Sequence, residues 1–301
     1  NRVDSKGNGI LGKQGINGFI WGLIAIDSMQ YEVPENAYYS RDDMILNILN
    51  RQLADGGWAL TGNVSDPDMT GMAIQALAPY YNSEKEYIYE NKKLQADGSK
   101  ITKKVRTVVD EAISWLSLAQ NTDGGYSSWG TENCESAVQV AVALCTLGID
   151  IFTDIRFIKD GNTIYDAILS YQNADGGFLH SLQYDPENPS SLPDKSNTMA
   201  SEQTLYGMVA IHRYQNGKRR LYDFRQEQSE ALKSQIAQVE TQIETINENT
   251  SKQELQGVYN AYWAIPSLER SYVKNYTKLS ELLEKSSISY YDNYHTKRNY
   301  T

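Results

Sequence analysis

One phrase occurs three times and limits the possible folds more than any other feature of the chain: Gln, two residues, Asp-Gly-Gly, aromatic. Gln52, Gly56 and Trp58 belong to the first copy, Gln120, Gly124 and Tyr126 to the second, Gln172, Gly176 and Phe178 to the third. Five fixed positions matched three times mark an internal repeat, and a repeat this short is a supersecondary unit that must stack on its neighbours to bury a core. The copies lie 68 and 52 residues apart, and a polar Lys/Glu/Tyr-rich insertion at 82–100 accounts for the longer gap. Two helices fill a unit of that size.

Apolar residues at helical spacing precede each phrase: Met44, Ile45, Ile48, Leu49 and Leu53; then Val105, Val108, Val109, Ala112, Ile113 and Leu116; then Ile164, Ala167, Ile168 and Tyr171. Asp-Gly-Gly is expected to stop that helix, because glycine takes the left-handed cap conformation. A second helix rich in small residues follows, around Thr70 to Ala78, Ser136 to Leu144 and Glu202 to Ala210, with an earlier copy around Gly18 to Ile26. These are apolar nearly all round, which marks a layer covered on both sides. The expected architecture is a ring of hairpins with an inner small-residue layer, about seven ring helices lying before residue 222.

At this point the chain resembles the terpenoid-cyclase and protein-prenyltransferase superfamily of α/α toroids, over residues 10 to about 222. Its phrase is similar to the cyclases' glutamine-tryptophan motif, with Tyr126 and Phe178 in place of Trp in two copies. In overall phrasing the chain looks closest to toroid domains of bacterial cell-surface proteins: Asp68-Met-Thr70 with Gln75-Ala-Leu-Ala-Pro79, Glu135-Ser136, and Glu202-Gln203 with Leu205-Tyr206. The resemblance implies an all-α chain, a partial (α/α)6 toroid lacking its first hairpins at 1–224, followed by a small three-helix module at 225–301. Squalene-type cyclases carry an Asp-x-Asp-Asp acid at an inner-helix start; here Asp66-Pro67-Asp68-Met69 has methionine for the third acid. Prenyltransferases hold zinc with Asp-x-Cys and a His, where this chain has Glu132-Asn133-Cys134 and Glu202. A protein without a metal, a cofactor or a catalytic residue is therefore expected, with an isoprenoid-handling enzyme as the alternative and a structural spacer as a third reading.

Acids at helix starts satisfy free backbone N–H groups and the positive end of the dipole. In a toroid the inner-helix starts open on one face, so Asp66, Asp68, Glu132, Glu135 and Glu202 are expected to ring one mouth. That funnel suits a cation-bearing or polyhydroxylated ligand, whether small molecule, glycan or protein. The net charge of −10 argues against a nucleic-acid partner, and nowhere do eighteen apolar residues run together as a membrane span needs. Cys134 and Cys145 are expected to share one helix, too far apart to pair. Tyrosine is over-represented, with 22 residues.

After Arg225 the apolar residues Leu232, Ile236, Val239, Ile243 and Ile246 follow 4-3-4-3 steps, a coiled-coil-like stripe. Ser251 and Glu254 form a capping box for a second helix, and Pro266 breaks the chain before a third. This part resembles three-helix spacer repeats of Gram-positive surface proteins, with a polar tail from Ser286 expected to fray. His212 and His295 are expected to be bystanders. Taken together, the resemblances imply a segment of a longer, extracellular or cell-wall-associated bacterial polypeptide.

Overall fold

Helical periodicity and capped ends produce ten α-helices among the described residues, 9–184, 186, 188–189 and 192–288, of this computed structural model. His295 and most of the tail lie outside them. Seven helices precede residue 222: α1 (Ile16–Asp27), α2 (Arg41–Leu49), α3 (Pro67–Leu77), α4 (Val105–Ala119), α5 (Cys134–Leu147), α6 (Ile164–Ser170) and α7 (Thr198–Gln215). The protein is mostly helical, as expected, and its few strands are short. Three two-stranded antiparallel hairpins lie between the helices: β1 (Glu86–Glu90) with β2 (Lys100–Lys104), β3 (Ser127–Ser128) with β4 (Thr131–Glu132), and β5 (Ile158–Lys159) with β6 (Asn162–Thr163). The insertion at 82–100 hides a period of two, since Tyr87 and Tyr89 turn inward while Glu86, Ile88 and Glu90 turn out.

The repeated phrase does not stop the helix; it folds the turn after it. Helices α2, α4 and α6 end at Leu49, Ala119 and Ser170, before each glutamine. The Asp55, Asp123 and Asp175 carboxylates each accept from the amide two residues on. Gln52 donates to Gly56 O in its own turn and to Val108 O of α4, at 2.9 and 3.0 Å. Gln120 repeats this with Gly124 O and Phe157 O. Each of these glutamines thus fastens its turn to the following unit, while Gln172, with no unit of this kind after it, is exposed. The aromatic plugs the corner: Trp58 Nε1 donates to Ile48 O at 2.8 Å and Tyr126 OH to Leu116 O at 3.0 Å, and both rings are fully buried.

Gly124 combines φ of 88° with a carbonyl 2.3 Å from where a Cβ would lie, that of Thr163; Gly176 has φ of 87° but open space around it. Gly124→Ala is therefore expected to lower stability by about 2 kcal/mol and Gly176→Ala by about 1. Equal losses in urea unfolding would refute the close-approach argument.

Helices α1, α3, α5 and α7 pack side by side in that order. Cys134 lies against Thr204 and Val138 against Gly207, so α5 and α7 run parallel; Gly71 packs on the Gln139 carbonyl, an approach that a Cβ would block at 2.8 Å. A glutamine ladder crosses this layer. Gln75 donates to the Gln139 side chain at 3.0 Å, and Gln139 to Gln203 at 3.0 Å and to Tyr206 OH. Polar groups buried in an apolar layer need such partners, and the ladder supplies them to the amide nitrogens while leaving Gln75 Oε1 without one.

The C-terminal part consists of α8 (Glu230–Thr245), α9 (Lys252–Trp263), a 3₁₀ turn at Ser267–Tyr272 and α10 (Tyr276–Lys285). The stripe Ile236, Val239, Ile243 and Ile246 packs with Leu255, Tyr259, Tyr262 and Leu279 into a second core, separate from the first. Ser251 and Glu254 form the expected capping box. No free linker separates the two cores. Arg219 makes two bonds of 3.0 Å to the Glu269 carboxylate, which also accepts from Arg225 and Gln228. Asn82 donates to the carbonyls of Arg270 and Val273, and Glu84 takes Arg106 at 2.5 Å and Ser280 at 2.8 Å. Burial alone would raise the Glu84 pKa, but Arg106, Lys104 and Ser280 outweigh it and hold the carboxyl at about 2.

Candidate functional site

The starts of α3, α5 and α7 are built by a shared device. Asp66, Asn133 and Asn197 are the N-caps of α3, α5 and α7; each side chain accepts from the amide three residues on. Each cap's own N–H donates to the repeated aromatic's carbonyl: Asp66 to Trp58, Asn133 to Tyr126, Asn197 to Phe178. The phrase that folds the turn after one helix therefore also seats the start of the next. Asp68 and Glu135 stand second in α3 and α5, one residue after Pro67 and Cys134, where a carboxylate does not cap but faces whatever lies at the helix end.

Asp66, Asp68 and Glu135 are brought together. The Asp66 carboxylate also accepts from Ser128 Oγ, tying the β3–β4 hairpin to α3. Burial, then the neighbouring Asp66 and Glu135 charges, raise the Asp68 pKa to about 7, with Ser136 and His180 pulling partly the other way. Glu135 is 4% exposed, and its Oε2 lies 2.8 Å from His180 Nδ1. Asn188 Nδ2 lies 3.0 Å from the other ring nitrogen. The ring's Nδ1–H donates to the Glu135 carboxylate, and the Asn188 amide faces the opposite ring nitrogen. Two oxygens, Asp68 Oδ1 and Glu135 Oε1, are buried without a hydrogen-bond partner.

The other two acids expected at the mouth lie elsewhere. Glu132, on β4, turns to the preceding Asp-Gly-Gly corner, where Asn121 donates to it at 2.6 Å; burial first, then Asp123, keep its carboxyl above the usual range. Glu202 is exposed on α7. At the zinc-type positions the Cys134 thiol contacts Thr204 at 3.2 Å, and burial pushes its pKa up to about 12. Among the described residues no three His, Cys, Asp or Glu side chains converge as a metal site requires. Cys145 is buried and free on the same helix as Cys134. No helix among the described residues is long and apolar enough to cross a membrane.

His180 is the residue the sequence reading missed. It sits two places after Phe178, in a loop with no periodicity to draw attention to it. The signal was its repeat position: Ser128 stands two places after Tyr126 and contacts the acid-bearing start of α3, as His180 contacts that of α5. The His180 carbonyl also accepts the Cys134 amide, so this loop lies directly on the start of α5.

No family model, no curated protein and no solved structure matches the chain.

Proposed function

We propose that residues 9 to about 222 are an arc of an α/α toroid and that the protein is a non-enzymatic, extracellular bacterial surface protein that binds a ligand at the mouth of the inner helices. The parallel row α1–α3–α5–α7 and the Gln-to-aromatic corners support the toroid reading. The single observation carrying the binding reading is the pair of buried, unpartnered oxygens, Asp68 Oδ1 and Glu135 Oε1. Such atoms are costly to leave unsatisfied, and a ligand bearing an ammonium or hydroxyl group would supply the missing donors. Titration with spermidine, glucosamine and glucose by calorimetry tests this. Binding of at least one is expected, weakened at least tenfold by Asp68→Asn with Glu135→Gln; equal affinity in that double variant would leave the acids a structural role only.

One observation favours a second reading. Protonation of an alkene needs a carboxylic acid that is still protonated and also strongly acidic; burial keeps the Asp68 proton to about pH 7, which meets the first condition. The glutamine ladder argues the other way, because a carbocation needs apolar or aromatic walls. Incubation with squalene or a prenyl diphosphate distinguishes the two: product that Asp68→Asn abolishes would make the protein an isoprenoid-handling enzyme.

A further inference from the structure

The β3–β4 hairpin turns on two residues, Trp129 and Gly130, with φ of 52° and 84°. Tight turns of this kind take Asn, Asp or Gly, which reach positive φ at little cost. A tryptophan there is strained, and the usual compensation of burying the indole is absent, since Trp129 is 81% exposed. Tyr184, 58% exposed, is the second open ring beside it. Among the described residues neither side chain has a hydrogen-bond, ring or cation partner. Between them runs a groove of about 550 Å³ whose polar lining includes Ser127, Thr131, Glu132 and Gln183. The hairpin is rigidly seated, because Ser128 is buried and bonded to Asp66.

We infer that this groove is a saccharide-binding subsite in which the Trp129 indole stacks on the apolar face of a pyranose ring. Glycans combine a C–H face that packs on aromatic rings with a rim of hydroxyls that need donors and acceptors, and the groove offers both. Hydroxyls and amides on the lining satisfy the rim, and the Glu132 oxygen not held by Asn121 is an acceptor for one sugar hydroxyl. A net charge of −10 and a carboxylate in the wall repel anionic polysaccharides, which leaves neutral or N-acetylated sugars. Strain retained at an exposed aromatic is the mark of a position held for its side chain rather than for the fold. The subsite stands on residues other than the acid pair, so either can fail without the other.

The test uses the full chain and tetrasaccharides of glucose and of N-acetylglucosamine at up to about 10 mM, followed by tryptophan fluorescence and by calorimetry, a range that detects millimolar affinities. At least one should bind and perturb the emission. Trp129→Asn should lower that affinity at least tenfold with an unchanged or higher Tm, because asparagine relieves the turn while removing the platform. Trp129→Tyr should keep most of the affinity. Absence of binding by the wild-type chain to both sugars overturns the inference, as does wild-type affinity in Trp129→Asn.

Discussion

Glu269→Gln is expected to lower the stability of the whole chain by roughly 3 kcal/mol, in the range found when one partner of a buried ion pair is removed. The wild-type carboxylate is 6% exposed and accepts four bonds, two from Arg219 and one each from Arg225 and Gln228. A glutamine is the same size but neutral, and its NH₂ group meets guanidinium N–H groups as a donor against donors. Asp223 still neutralises both arginines in part, which holds the loss to the lower end. For a chain of this size the midpoint should fall by about 6–12 °C. Because this junction joins the two cores, thermal unfolding should also broaden or split, the C-terminal helices melting first by circular dichroism. A midpoint within about a degree of wild type, with one sharp transition, would show that the charges at this junction contribute nothing net.

That junction marks the boundary of what the sequence could show. Periodic features were legible because they are local: the heptad-like stripe from Ile236 to Ile246, the Ser251 and Glu254 capping box, the break at Pro266, and the shared helix of Cys134 and Cys145. The Asp-Gly-Gly phrase was legible as a repeat but misread by a few residues, because glycine's conformational freedom serves a turn as well as a helix cap. Arg219 meeting Glu269 fifty residues away has no local signature, since any surface arginine looks the same in sequence. The glutamine ladder falls between these cases. Gln75, Gln139 and Gln203 recur at 64 residues, a spacing visible once sought, yet each lies in an apolar helix where a lone polar residue reads as an interruption. Of the candidate mouth, Asp66, Asp68 and Glu135 meet, because their side chains converge at adjacent starts of α3 and α5. Glu132 and Glu202 do not, because strand pleat turns one away and helix rotation the other, and neither was decided by position alone.

Asp68→Asn is expected to raise stability at neutral and alkaline pH, the opposite of what removing a helix-start acid usually does. In the unfolded chain the carboxyl titrates at the ordinary aspartate value of 3.8, and in the folded protein at about 7. Between these values the unfolded state has released a proton that the folded state retains, so stability falls as pH rises across that window and stays low above it. The penalty above pH 7 is roughly 3 kcal/mol, the order of magnitude that a shift of this size carries. Asparagine carries no charge at any pH and escapes it. Asp68→Asn should therefore melt with wild type near pH 4 and about 6–12 °C above it at pH 8. Asp66→Asn is the internal control. It removes the carboxylate that Ser128 binds at the cap of α3, so it should gain no stability at pH 8. If Asp68→Asn tracked wild type at every pH, the side chain would be solvated and its Oδ1 no longer a vacant acceptor. If the predicted divergence is found, Asp68 is a group that destabilises its own fold near neutrality, and a donor on a bound ligand is what would reverse that cost.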